Sequence, residues 1–421
     1  MTVLADALPL RAAAAMASEL SDALAVPPPP EPGDDYSPSS SRWRDQSLSK
    51  GAAGVAVLHG ARAQDGLGGG DRVHAWLARA TRENLSAGRG AGLWFGAPAV
   101  AFAVAAAAPE QYRRAMTSLD DGVTQLVHAR LETARARMAT AVRPSLSEFD
   151  LVRGLAGLGA YLLRRKPDGD LLRRVLTYLV RLTEPLPADD AAGLSTPGWW
   201  TSDIPSGRPD PALDAGHANL GMSHGISGPL ALLALAMRQG ITVDDHAAAI
   251  DRICRWLDAW RHEAPTGPWW PERVTLDELR TGRSDQDGPA RPSWCYGTPG
   301  LARAQQLAGL ALRDPARQQA AEHALIRCLS DPAQLARIID PALCHGWAGL
   351  IATAWCAAAD GRSPDIGAHL PRLLDTLLDH ARDAPPEQMP GLIEGSAGVA
   401  LTLHSIATGT TGGWQTCLLL D

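Results

Sequence analysis

No uncharged apolar run in the 421-residue sequence approaches the ~20 residues needed to cross a bilayer. The segment Met1 to Ala25 carries Asp6, Glu19 and Asp22 and lacks a basic stretch followed by an apolar one, so it does not read as an export signal. A cytoplasmic protein without membrane insertion is therefore expected. Positive charge is also in short supply: 39 Lys and Arg against 46 Asp and Glu leave a net charge of −7. That balance argues against nucleic acid as a partner, because phosphate binding needs a concentrated basic field. Cysteine is sparse. The six (Cys254, Cys295, Cys328, Cys344, Cys356 and Cys417) are scattered, which points to free thiols in a reducing compartment, available as metal ligands. Strand-like alternation with turn dipeptides is scarce as well, which excludes a mainly β fold.

What is present is globular composition, 45% hydrophobic and 20% charged, enough for a sizeable core without disulfides. Thr2 to Leu24 reads as a helix, and Pro27 to Ser41 as a Pro/Ser-rich linker or loop. The expected organisation is a helix and Pro/Ser-rich segment over 1–41, then a single domain over 42–421. Helical spacing recurs in Ile250, Ile253, Trp256, Leu257 and Trp260, and in Leu370, Leu373, Leu374, Leu377 and Leu378, with Pro371 in a first turn. Gly228 to Met237 and Gly349 to Ala359 are apolar nearly all round, which implies helices buried on every side.

A repeat underlies these stretches. A Gly-x-x-Gly pair opens an apolar run at Gly51, Gly154, Gly225, Gly297, Gly346 and Gly395, and a seventh copy at Gly96 has Ala99 for its second glycine. Successive first glycines lie 45, 58, 71, 72, 49 and 49 residues apart, room for an outer amphipathic helix, a loop and an inner helix. Seven such hairpins can close a ring, so the expected fold is an all-α, α/α toroid. The glycines would allow close backbone approach and leave amide groups free around one rim.

Chemistry-bearing residues fall in this register. Cys295 in "RPSWCYGTPG" and the adjacent Cys344 and His345 in "CHGWAG" directly precede glycine pairs. Two thiolates and one imidazole leave a fourth tetrahedral position open, the pattern of a catalytic zinc site, and soft sulfur favours zinc over magnesium or calcium. Cys254, Cys328, Cys356 and Cys417 lie outside the register and read as core residues. His224 in "SHGISG" occupies the same place in its own repeat; fourth ligand, structural histidine and general acid/base are all compatible with its spacing. Asp150, four residues before Gly154, suits either a partner for His224 or a helix cap. Arg291 and Tyr296 add a cation and a phenol beside Cys295. The pairs Trp199–Trp200 and Trp269–Trp270, in loops before inner helices, suggest exposed indoles lining a peptide groove.

Taken together, the sevenfold glycine pattern with "SHGISGP", "WCYGTPG" and "CHGWAG" resembles the lantibiotic (lanthipeptide) cyclase family over about Ser47 to Asp421, including the ending "WQTCLLLD". The resemblance implies an α-toroid in which Cys295, Cys344 and His345 hold one Zn2+ and Asp150, His224, Arg291 and Tyr296 form the catalytic set. It implies intramolecular addition of cysteine thiols to dehydrated Ser or Thr residues, giving thioether rings. The implied partners are a dehydrated precursor peptide, a dehydratase and an export protein. The length resembles a standalone cyclase. Three rivals remain open: addition of glutathione to dehydrated residues, a zinc-binding scaffold that only recruits a dehydratase and peptide, and another toroidal enzyme. A glycosidase would need two apposed carboxylates, and the register offers only Asp150.

Overall fold

The computed structural model describes residues 7–29, 44–187, 194–204, 210–384 and 390–421. Most of the Pro/Ser-rich run expected as a linker therefore lies outside the described residues. Fourteen helices of 11 residues or more occur among them: α1 (Ala7–Ala23), α2 (Ala52–Gln64), α3 (Gly70–Ala80), α4 (Ala97–Ala107), α5 (Arg113–Ala139), α6 (Leu155–Arg165) and α7 (Asp170–Leu182), then α8 (Ser227–Arg238), α9 (His246–Ala259), α10 (Thr298–Leu312), α11 (Pro315–Ser330), α12 (Trp347–Ala359), α13 (Asp365–Arg382) and α14 (Ser396–Thr408). The only regular strands described are β1 (His217–Asn219) and β2 (Arg273–Thr275), paired antiparallel. The fold is all-α.

Helix composition sorts the elements. The even-numbered helices start at the six glycine pairs and at Gly96, and are buried nearly all round, every residue of α4 included. Odd-numbered helices bury one stripe: α7 hides Leu172, Val175, Leu176 and Leu179 and leaves Arg173 and Arg181 toward solvent. Two units divide the chain, Met1–Leu126 with Ile338–Cys417, and Val127–Arg337 with Leu418–Asp421. In the first, α2 packs on α3, α4 and α14, and α12 packs on α13 and α14; α1 lies on α13 and α14, giving the last inner helix an outer partner from the start of the chain. In the second, α8 packs on α6, α9 and α10, α7 on α6, and α11 on α10.

Backbone hydrogen bonds zip the loops that precede the inner helices. In the first unit Leu48 N donates to Trp94 O (3.2 Å), Leu392 N to Leu48 O (3.0 Å), Ile393 N to Ser49 O (3.1 Å) and Cys344 N to Ile393 O (3.0 Å). In the second, Leu151 N donates to Ser223 O (3.2 Å) and Met222 N to Cys295 O (2.8 Å). Each loop carries a fully buried apolar residue three places before its first glycine: Leu48, Leu93, Leu151, Met222, Trp294, Leu343 and Leu392. The second glycine is required by that residue. A Cβ at Gly54, Gly228, Gly300, Gly349 or Gly398 would collide with the carbonyl oxygen of Leu48, Met222, Trp294, Leu343 or Leu392 respectively.

Two expectations change. The amides at six of the seven first glycines are engaged: Gly51 N, Gly225 N and Gly346 N donate to backbone carbonyls of their own loops, Gly96 N donates to Gln46 O, and Gly154 N and Gly297 N donate to side chains of their loops. Pro371 lies inside α13 and not in a first turn, because the helix already begins at Asp365.

Candidate functional site

In the second unit the loops before α6, α8 and α10 carry Asp150, His224 and Tyr296. Asp150 ends a short helical turn, Leu146–Phe149, and is 1% exposed. Its two oxygens are divided between two tasks. Oδ1 accepts from the amides of Arg153 (2.6 Å) and Gly154 (2.8 Å), which ties the loop just before α6, and Oδ2 lies 2.7 Å from His224 Nδ1. Asp150 thus contacts His224 and ties its own loop, but it does not cap α6, whose N-cap is Gly154. Because a carboxylate accepts, His224 carries its hydrogen on Nδ1, and Nε2 is the nitrogen without a partner among the described residues. The ring is 27% exposed, so this nitrogen can be reached from outside.

The loop holding Cys295 is built on Ser293. Its buried Oγ accepts from Tyr296 N (3.3 Å), Gly297 N (2.9 Å) and the Cys295 thiol (3.6 Å). Trp294 Nε1 donates to Leu418 O at 3.0 Å, which fixes the residue on the other side of the thiol. The Tyr296 ring lies 6.5 Å from that of His224, centre to centre. Burial holds the Tyr296 phenol above its ordinary pKa, offset in part by a hydrogen bond from Asn219 Nδ2 at 3.0 Å. Arg291 is half-buried, and together with Arg273 and Arg337 its charge opposes the upward shift that burial imposes on the Glu272 carboxyl. Asn219 and Glu272 were not singled out in the sequence; both lie outside the glycine register, on or beside the β1–β2 ribbon.

In the first unit Cys344 is half-buried, with its amide bound to Ile393 O, and His345 Nε2 lies 3.8 Å from Asp340 Oδ2. Asp340 Oδ1 is engaged with Ala342 N at 2.9 Å. His345 and Asp340 line a cavity of about 430 Å³ with Glu394 and Ser396, and Glu394 pairs with Lys50 at 2.8 Å. Cys254, Cys328, Cys356 and Cys417 are buried free thiols, and burial pushes Cys254 and Cys328 up to about 12.

The tryptophan expectation is overturned. Trp199, Trp200, Trp269 and Trp270 are all buried, at 1, 0, 6 and 4% exposure. Trp199 packs edge-on against Trp256, Trp200 Nε1 donates to Ala215 O, Trp270 Nε1 donates to Leu257 O, and Trp269 stacks on His262. Indole rings flanked by apolar helix ends gain more from burial than from solvent, so these pairs anchor loops and do not line a peptide groove.

Helices opened by glycine pairs, with an oriented imidazole in one preceding loop and thiols in others, define the class: an all-α protein with histidine and cysteine side chains in those loops. Residues 42–419 match the family model described as lanthionine synthetase C-like protein, and the chain belongs to that family. It is 25% identical over 246 residues to the nisin biosynthesis protein NisC of Lactococcus lactis subsp. lactis; the match covers 58% of this chain and 56% of the relative, about half that protein's length. Among solved structures, one titled nisin cyclase superposes with a TM-score of 0.73 at 20% identity, covering 90% of this chain and 93% of the other. That likeness shows a shared fold. No helix among the described residues is long and apolar enough to cross a membrane.

Proposed function

We propose that this protein is a zinc-dependent lanthipeptide cyclase, in which 42–421 act as one α/α-toroid domain. It adds a cysteine thiol to a dehydroalanine or dehydrobutyrine of the same peptide. The observation that carries the reading is that the Asp150–His224 pair and Cys295 sit on loops joined backbone to backbone, through Met222 N to Cys295 O at 2.8 Å. The donor set fits zinc. The ligands proposed are Cys295, Cys344 and His345, because two thiols with one imidazole suit a catalytic zinc site and soft sulfur favours zinc. When bound, zinc supplies Lewis acidity that lowers the pKa of a substrate thiol.

The remaining work falls to the chain. The substrate thiol gives up its proton, the sulfur forms a bond to the β-carbon, and the double-bond electron pair moves toward the α-carbon and its carbonyl. His224 Nε2, accessible and without a partner among the described residues, takes a proton and returns one to the α-carbon, while Asp150 keeps the ring oriented and stabilises it when charged. Arg291 and Tyr296 support the negative charge on the carbonyl oxygen. Holding thiol and acceptor in one peptide makes the step unimolecular. The partners proposed are the dehydrated precursor peptide, a dehydratase and an export protein, in the cytoplasm.

Incubation with the dehydrated precursor should consume one free thiol per ring at constant peptide mass, faster than a no-enzyme blank. Glutathione addition would raise the mass, and a scaffold would change neither. Purified protein should contain one zinc per chain, and Cys344→Ala should lose most of it. Thiol loss no faster than the blank overturns the cyclase reading; full zinc in the variant overturns the ligand set.

A further inference from the structure

The direction of one buried hydrogen bond determines what Tyr296 can do. Asn219, the last residue of β1, is 1% exposed and has its side-chain oxygen occupied by the amide of Gly221, at 3.0 Å. A backbone N–H can only donate, so this end of the amide must be the oxygen, and the other end must be the NH2 group. That group lies 3.0 Å from the Tyr296 hydroxyl. Since an amide NH2 cannot accept, the phenol oxygen is the acceptor and its own hydrogen points elsewhere. No acceptor for that hydrogen occurs among the described residues. The register is rigid: a Cβ at Gly221 would fall 2.7 Å from both Cys295 O and the Tyr296 ring, and Asn219 O receives Ile226 N at 2.9 Å, tying the strand end to the start of α8.

We infer that Asn219 is a positioning residue that fixes Tyr296 as a hydrogen-bond donor to the substrate. This rests on the cyclase reading above. The recipient is the carbonyl oxygen of the dehydrated residue, where negative charge develops as the thiol adds. A phenol locked in the donor sense does not have to break a bond to a protein acceptor before it serves the substrate, the condition under which an oxyanion donor is most effective. His224 complements it. Among the described residues the imidazole presents an unpartnered nitrogen, and the phenol beside it an unpartnered hydrogen. Acceptor and donor are thus fixed by two different buried groups, Asp150 and Asn219.

Asn219→Asp tests the inference at nearly constant volume. The carboxylate still accepts from Gly221 N, but its second oxygen now accepts from Tyr296 and turns the phenol hydrogen inward. With the dehydrated precursor as substrate, kcat should fall about as far as in Tyr296→Phe, on the order of 10²-fold, with KM and zinc content little changed. The double variant should be no slower than Tyr296→Phe alone. Asn219→Ala, compared in the wild-type and Tyr296→Phe backgrounds, gives a second cycle that does not depend on the Asp variant folding: a loss in the first background and none in the second supports the inference. Wild-type rates in Asn219→Asp, or losses that multiply in either double variant, overturn it. A wild-type protein that closes no ring would instead sink the cyclase reading itself.

Discussion

Asp150 is where a single side chain serves both its own loop and the proposed chemistry. With Oδ1 held by two amides at the start of α6, its other oxygen has only one place to go, and His224 occupies it. Asp150→Asn separates the roles. The amide oxygen would stay with Arg153 N and Gly154 N, so the NH2 would face His224 Nδ1 and force the ring hydrogen onto Nε2, turning an acceptor into a donor. Ring formation should drop by about 10²-fold or more while zinc content and melting temperature hold close to wild type. Equal rates in a matched assay would remove Asp150 from the mechanism. Much of the candidate set was legible as position: His224, Tyr296 and His345 stand one residue before a glycine pair, Cys295 and Cys344 two, and Asp150 four, and such offsets are visible in a sequence. Asn219 was not, because it reaches Tyr296 through a two-stranded ribbon of three residues per strand, too short to leave an alternating pattern.

At the scale of the element, the glycine pairs mark where each inner helix begins, and the first glycine caps six of the seven. Only α8 differs, capped by Ile226. Gly96 has φ +77°, which a side chain would strain. The second glycine answers to the backbone: at Gly300 the Cβ would strike the Trp294 carbonyl oxygen, one residue from Cys295. Gly300→Ala should therefore destabilise by about 1–3 kcal/mol or more, and lower zinc content along with it. Gly122, inside α5, has nothing within 4 Å of its Cβ position, and Gly122→Ala should stabilise by about 0.5–1 kcal/mol through helix propensity alone. Urea unfolding of the two variants checks both signs, and destabilisation by Gly122→Ala or neutrality of Gly300→Ala would contradict the packing account. The tryptophan pairs show the limit of such pattern reading. Loop position suggested exposure, but whether an indole is covered depends on which helix ends lie over it, and that is a tertiary fact.

At the scale of the whole molecule, the pairing of α1 with α14 joins segments nearly four hundred residues apart, and no local signal in either announces it. The end of α1 is also tied to α2 and α3: Leu24 O, just past α1, accepts from His59 Nε2 at 2.7 Å and Trp76 Nε1 at 2.8 Å. His59 is buried, and desolvation, offset in part by the hydrogen bond to Leu24 O, lowers its pKa to about 4. His217, in the other unit, is also lowered to about 4 by burial and by Arg273, against Asp210. Both groups bind a proton more readily when unfolded. Their contribution to stability is therefore fully present above the ordinary histidine pKa of 6.5 and is lost as pH falls from there through about 4. A site inside its window costs ~1.4 kcal/mol per pH unit, so the pair should remove about 2 kcal/mol between about pH 6 and about pH 5. His59→Gln keeps a donor for Leu24 O and cannot titrate; it should lose about 1 kcal/mol less than the wild type over that interval. Urea midpoints measured across the range decide the matter. A midpoint that stays flat in the wild type, or a loss of equal size in His59→Gln, would mean that these imidazoles are not held neutral by burial.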